Sequence, residues 1–541
     1  MLEITDAGQA LRAVLDWWPT AAIARQARLG SVRPHNHNSL TDAKYAMEVS
    51  LRKKVIDGLL WSAARTWGSK VLVLALFVVL SRLLDPREFG VVAAAMAVLA
   101  FLQMFVDQGL ADAIVQRKEV GDGQLNAVFV LNMVVALLVV AGAWIAAPYV
   151  ALRVGEPEVA DVLRMASLAV PLTALSLVQV AMNRRHFHYR QLAVRTMLAT
   201  LVAGIVAVGM AVLGAGSWSL VAQFIVQAGV GTLVLWWRPE WKPSRSFDVS
   251  GLRELMTYGS QRLGTSLLHY GNTKYVELYI AATLGATTLG IYMVGVRVYE
   301  SLLQMLNGAV LDVAHSGFSR LAHDPERLRQ AYYRAIRISA ALAMPVFVLV
   351  GVLAEPIVVT VFGEKWLPSA PVMQWMGLLG AMQVLQFYNG TLNNAMGMPG
   401  IAMWINLGKL FATLAVLWVM RSEPLDQLVG AYVGVQALAV IPSFWVVRWR
   451  ANIRLREVWA VVRPFVVSCG VAAVATLLLL RSTPMRALPS WEQLLLAGGA
   501  GALAYAACAA LLAREFVLSL AGQIARRLSG LRRGQPPAVP K

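Results

Sequence analysis

An all-α, polytopic membrane fold with about fourteen transmembrane helices is predicted by three observations. The 541-residue chain is 58% hydrophobic and only 14% charged, with a mean hydropathy of +0.60, a composition foreign to a soluble domain of this length. Its apolar residues gather into stretches of about 20, the length that crosses a hydrocarbon core. A few stretches also carry Lys, Arg or Glu where a lipid-facing helix carries Leu. Such a charge costs about 2.5 to 3.5 kcal/mol on insertion scales, so it persists only where water or a counter-charge meets it. The pattern reads as a transporter with a charged cavity.

The predicted spans are 59–83, 89–112, 124–147, 159–182, 191–213, 217–237, 252–284, 288–312, 335–362, 368–390, 399–420, 425–447, 457–480 and 491–513. The seventh is long and polar. The ninth contains Pro345 and Pro356, each of which removes an amide donor and invites a kink or an early end. The predicted organisation is a cytoplasmic extension (1–50), an N-lobe of six helices (51–245), a C-lobe of six (246–450), two further helices (451–515) and a basic tail (516–541).

The net charge of +18 is spread over short loops, which argues against nucleic acid as the partner. Basic clusters alternate: Arg52, Lys53 and Lys54 before the first span; Arg184, Arg185, Arg190 and Arg195 after the fourth; Arg320, Arg327, Arg329, Arg334 and Arg337 after the eighth; Arg448, Arg450, Arg454 and Arg456 after the twelfth. Basic loops stay in the cytoplasm, so both termini are expected there. Residues 1–50 lack the apolar core of a secretory signal. Residues 9–29 read either as an amphipathic surface helix interrupted by Pro19, or as part of a dispensable extension ahead of Met47, which opens an ordinary basic lead into the first span. Cys469 and Cys508 both lie in apolar spans and imply no disulfide framework.

An internal repeat of about 200 residues is expected from the match of Leu84 to Leu284, Gly90 to Gly290, Leu102 to Leu302 and Asp112 to Asp312. Parallel six-helix halves of this kind usually enclose the substrate site and rock to alternate its exposure.

Polar residues form stripes at helical spacing. In the seventh span Tyr258, Gln261, Arg262, Thr265, Ser266, His269, Asn272, Thr273 and Glu277 share one half of the circumference, as a packing face or as a cavity wall. Lys274 lies off that stripe, placed to pair with Glu277 at i, i+3 or with the neighbouring half. The eighth span repeats the pattern with Arg297, Glu300, Ser301 and Gln304; Arg297 either pairs with Glu300 or offers its guanidinium fork to phosphate. In the first span Arg65 either snorkels or faces the cavity, whereas Lys70 sits near the midplane. Asp107 in the second span and Lys409 in the eleventh complete the set. The candidate site for an anionic, phosphate-bearing ligand is therefore Arg65, Lys70, Lys274, Arg297 and Lys409. Asp107, Glu277 and Glu300 are the candidates for ion coupling or ion pairs, and Gln261, Arg262, His269, Asn272 and Gln304 the polar lining. A net positive cavity selects an anionic ligand. Tyr270, Tyr275, Tyr279, Tyr292 and Tyr299 either stack on sugars or pack. There is no Gly-rich phosphate loop with Lys, no Cys or His metal spacing and no nucleophile motif, so neither enzymatic activity, cofactor nor metal is expected. An ion gradient, the membrane potential or the substrate gradient would supply the energy.

Eight stretches carry a family resemblance: GLLWSAAR (58–65), SRLLDPREFG (81–90), FVDQGLADAIVQRKE (105–119), GEPEV (155–159), RRHFHYRQLA (184–193), LGATTLGIY (284–292), HDPERLRQAYYRAIR (323–337) and FGEKWLPSAPV (362–372). In colinear order over about 51–480, they resemble the polysaccharide transporter family, in particular its Wzx-type lipopolysaccharide and exopolysaccharide flippases of the colanic-acid-like branch. That family belongs to the multidrug/oligosaccharidyl-lipid/polysaccharide exporter superfamily. The resemblance implies two six-helix lobes forming a V in the bacterial inner membrane. It also implies alternating-access transfer of undecaprenyl-diphosphate-linked oligosaccharide repeat units to the periplasmic leaflet. Polysaccharide polymerase or export machinery would be further partners. By helix position alone, Arg65 and Arg297 correspond to basic residues that engage diphosphate in peptidoglycan-lipid relatives. Lys274 and Glu277 stand near where the family commonly reads Asn-x-Asp, which departs from its pattern. The alternative within the superfamily is a multidrug or organic-cation antiporter, which needs an acidic, aromatic cavity.

Overall fold

The computed structural model describes residues 68, 70–106, 109–117, 120–248, 252–321 and 323–516. Arg65, Asp107, the 1–46 extension and the tail beyond residue 516 lie outside the described residues, as do the side chains of Gln261, Arg262, His269 and Asn272. Among the described residues the chain is helical throughout and has no strand. Among the described residues, nine helical spans are long and apolar enough to cross a membrane by length and composition. The helices Leu252–Thr283, Gly285–Leu321, Ala370–Ala395 and Pro399–Val419 cover the expected spans seven, eight, ten and eleven. The chain is a multi-pass membrane protein. Its lipid-facing character shows in Asp122–Val154, whose Leu138, Ile145 and Leu152 stand 65%, 70% and 82% exposed.

Two regions differ from expectation in ways their sequences explain, and the ninth span breaks where its prolines predict. The second span ends at Gln103, and the chain restarts as Leu110–Gln116 from Gly109, which sits at φ +71°, a left-handed conformation natural to glycine. The Arg-rich stretch after the eighth span is helix rather than loop. Asp324 caps Pro325–Leu342 by accepting the Arg327 amide at 3.1 Å, and Pro325 takes the first turn, where its missing N–H costs nothing. The ninth span is broken into Pro325–Leu342, Met344–Val352 and Ala354–Ile357, followed by a π turn at Val358–Phe362. Each interruption falls just ahead of Pro345 or Pro356.

The chain divides into two compact units: 1–77, 98–149 and 160–267 in the first, and 78–97, 150–159 and 268–541 in the second. The core of the first gathers Leu110, Ile114, Leu125, Val128, Val178 and Trp241. The second is built around Tyr332, Tyr388, Val447 and Phe465. Several of its buried polar groups bond one another: Tyr332 donates to Asn389 Oδ1 at 2.5 Å, Asn389 donates to Ser443 Oγ at 2.9 Å, and the Ser339 and Tyr388 hydroxyls share a bond of 2.6 Å.

Within the second unit, Arg87 grips Glu156 through two bonds, of 3.0 and 2.6 Å, and reaches Glu158 at 3.5 Å. The Arg87 hydrogen bond holds the Glu156 carboxyl below its ordinary value of 4.5, against a smaller opposing effect of burial. A depressed folded-state value means that the stabilisation is present above pH 4.5 and is lost as pH falls through the folded value. Glu156→Gln is therefore expected to lower thermal stability at neutral pH by no more than about 1 kcal/mol, since the pair is partly exposed, and to flatten the acid limb of its pH dependence. An unchanged acid limb would remove the pair from the ledger.

Candidate functional site

Two bodies of residues compete for functional attention, the charged stripes inside the spans and the stretches that carry the family resemblance. The structure separates them.

In the second unit the seventh-span helix brings Lys274 and Glu277 into contact, Nζ to Oε1 at 2.5 Å, with Glu277 only 5% exposed. Lys274 thus has a committed partner one turn away. Arg297 and Glu300 follow each other by one turn on Gly285–Leu321, both half-buried, and Gln304 is exposed on the next turn. Lys409 is half-buried on Pro399–Val419. Lys70 is half-buried on the helix 70–83, in the part of it that belongs to the first unit. The tyrosines mostly pack. Tyr292 and Tyr299 are 6% and 7% exposed, Tyr299 donates to Gln383 Oε1 at 2.7 Å, and Tyr279 donates to the Leu417 carbonyl at 2.6 Å. Tyr270 donates to the Ala97 carbonyl.

Three of the resemblance stretches instead converge within the second unit as a clasp. Trp366, fully buried, donates its indole N–H to the Ser81 carbonyl at 2.7 Å and meets the Phe89 ring edge-on at 5.3 Å. Arg82 donates to the carbonyls of Val361, at 3.1 Å, and Thr360. Lys365 returns to the Arg82 carbonyl and to Asp85, both at 3.3 Å. Ser369 donates to the Ile291 carbonyl at 2.7 Å. At the centre, the start of Pro86–Gln103 touches the start of Gly285–Leu321 backbone to backbone. A Cβ on Gly90 would fall 1.6 Å from the Ala286 oxygen, and one on Gly290 would fall 1.9 Å from the Pro86 oxygen. The contact is reciprocal under the same 200-residue offset that aligns Gly90 with Gly290 in sequence, and it is the close small-residue approach that membrane helices use.

Two more stretches make a second clamp, in the first unit. Arg184 pairs with Asp112 at 3.3 Å, and Arg185 donates to the carbonyls of Ile114 and Arg117 at 3.0 and 2.6 Å, satisfying the C-terminus of Leu110–Gln116. His186 and His188 both reach Glu240, at 3.1 and 2.7 Å. Burial works to raise the Glu240 carboxyl, and the hydrogen bonds and electrostatic attraction of the two histidines together outweigh it, leaving it below the ordinary value. Glu240, Trp366 and Lys365 were not among the residues the sequence singled out. Their signal lay in the resemblance stretches and in the basic loops rather than in the polar stripes.

The family described as polysaccharide biosynthesis protein matches over residues 79–371, a range that contains the whole clasp and the first-unit clamp. Among curated proteins, the succinoglycan biosynthesis transport protein ExoT of Rhizobium meliloti is 29% identical over 60% of this chain and 66% of its own length. The lipopolysaccharide biosynthesis protein WzxC of Escherichia coli is 25% identical over 74% of this chain and 82% of its own. The solved structure of the lipid II flippase MurJ in an inward closed conformation shares the fold, with a TM-score of 0.68 and 12% identity, over 85% of this chain and all of that one. With a match spanning more than half of its 541 residues, from the Ser81–Gly90 segment through Trp366, this chain belongs to the polysaccharide biosynthesis protein family of membrane transporters.

Proposed function

We propose that the protein is a flippase, moving undecaprenyl-diphosphate-linked oligosaccharide repeat units from the cytoplasmic to the periplasmic leaflet of a bacterial inner membrane by alternating access, with both termini cytoplasmic. The observation that carries the reading is the charge balance on the spans. Lys274 pairs with Glu277, Arg297 lies one turn before Glu300, and Lys409 is a half-buried cation in an apolar helix. A diphosphate offsets the desolvation of such cations. The relatives named for succinoglycan and lipopolysaccharide support the same substrate class. The organic-cation antiporter needs a buried acid open to its substrate, and the pairing of Glu277 with Lys274 weighs against it.

Deleting the gene is expected to accumulate a lipid-linked oligosaccharide on the cytoplasmic leaflet. Complementation with Arg297→Ala is expected to restore export ten- to a hundredfold less well than wild type, because a charge-assisted bond to phosphate contributes roughly 1.5 to 3 kcal/mol. Arg297→Lys should recover part of that, keeping charge but losing the fork. Normal lipid pools in the deletion strain, together with altered sensitivity to organic cations, would favour the antiporter. For orientation, a cysteine beside Arg190 should label only after permeabilisation and one beside Glu156 without it. In that orientation the clasp around Gly90 and Gly290 lies toward the periplasmic end.

A further inference from the structure

We propose that His186, His188 and Glu240 form a binding site for a divalent transition-metal ion such as Zn²⁺. Their donor atoms all lie within 4.8 Å of one another, with His186 Nδ1 at 3.1 Å from one Glu240 oxygen and His188 Nδ1 at 2.7 Å from the other. Two imidazoles and a carboxylate are a zinc donor set that leaves a position open. At Zn–N and Zn–O distances of about 2.0 to 2.2 Å, tetrahedral donors stand roughly 3.3 Å apart, close to the two histidine–carboxylate separations, so a set that spans no more than 4.8 Å need draw in by at most about 1.5 Å to accept an ion.

Two hydrogen bonds to a shared carboxylate account for the distances but not for the backbone that produces them. The turn 186–188 closes the helix Ala169–Arg185 with the Phe187 amide on the Arg184 carbonyl, at 3.2 Å, and the His188 amide on the Asn183 carbonyl, at 2.8 Å. This is the Schellman pattern, whose left-handed residue is normally glycine. The chain obeys that preference at two other helix ends of the same pattern, with Gly214 at φ +80° and Gly397 at φ +76°. Here Phe187 occupies the position, at φ +60°, with its side chain 53% exposed and so anchored by little burial. At the Gly397 turn the flanking residues are Met396 and Met398; at the Phe187 turn they are His186 and His188, both directed at Glu240. A left-handed phenylalanine persists where its surroundings over-determine it, and such strain gathers at ligand sites.

Glu240 is held as rigidly as the turn. Its amide donates to Gln179 Oε1 at 3.0 Å, and the next carbonyl, of buried Trp241, accepts from Gln179 Nε2 at 2.5 Å. The nearby arginines of the same turn are engaged elsewhere, Arg184 with Asp112 and Arg185 with two carbonyls. A bound ion would staple the turn between two helices to the segment that follows Ser217–Trp237, tying three helix ends of the first unit together.

The test uses full-length protein without a histidine tag, chelated in detergent and titrated with Co²⁺ and Zn²⁺. Expected are one ion per chain, d–d absorption of a low-coordinate Co²⁺ displaced by Zn²⁺, and a rise in thermal midpoint with Zn²⁺. His186→Asn and His188→Asn keep an amide that can bond Glu240 and so preserve the fold. Each should weaken binding by at least about tenfold, the lower bound for losing even an outer-shell partner, and abolish the Zn²⁺-dependent rise. Absence of saturable binding in wild type overturns the proposal, as does binding unchanged in the His186→Asn/His188→Asn double variant.

Discussion

Gly90→Val and Gly290→Val are each expected to cut polymer export to below a tenth of wild type and to lower the thermal midpoint in detergent. An added Cβ would fall 1.6 Å from the Ala286 oxygen in the first case and 1.9 Å from the Pro86 oxygen in the second. Its obstacle is backbone, so no rotamer change relieves the clash and the helices must separate. Overpacking a tight contact costs about 1 to 3 kcal/mol, and here the separation also strains the bonds of Trp366 to Ser81 and of Ser369 to Ile291. The comparison variant is Gly142→Val, in the interior of Asp122–Val154, where an added Cβ meets nothing within 4 Å. It should export and melt as wild type. If all three variants behave alike, the reciprocal contact is dispensable.

Lys274→Ala is expected to be more damaging than removing both members of its pair. Glu277 is 5% exposed, and stripping a buried carboxylate of its partner costs about 3 to 5 kcal/mol. Lys274→Met combined with Glu277→Leu replaces both charges with apolar groups of similar volume, an exchange that is commonly neutral or stabilising. The single variant should therefore give low yields of folded protein, and the double should restore them. Export by the restored double variant then separates structure from transport. Normal export assigns the pair to packing of the seventh-span helix; lost export in a well-folded protein assigns it to transport. A double variant as unstable as Lys274→Ala would contradict the pairing itself.

Much of the fold was legible because membrane insertion is a local decision. Apolar length set the spans, Pro345 and Pro356 set the breaks in the ninth, and i, i+3 spacing placed Lys274 beside Glu277. Asp324 followed by Pro325 is a helix start that the sequence displays openly, although the surrounding arginines made the stretch read as a loop. The second span misled in the other direction, because apolar content continues across a turn that Gly109 makes. Polar stripes were visible too, but periodicity says which residues share a face and not what that face meets. Tyr299 on Gln383, and Tyr332 on Asn389, are packing bonds that only the assembled helices reveal.

The sequence by itself determined that this is a multi-pass helical membrane protein, where most of its described helices run, and that Gly90 and Gly290 align under one offset. The first two depend on the hydropathy and spacing of residues within one turn or one span of each other, and the third on a repeat of the chain's own pattern. Only the tertiary structure decided that Trp366 closes on Ser81, that the two glycines meet through each other's backbone, and that His186 and His188 share Glu240. These contacts join residues 52 to 285 positions apart. Their partners are fixed by which carbonyl or carboxylate the packed helices leave within reach, a quantity that no local period encodes.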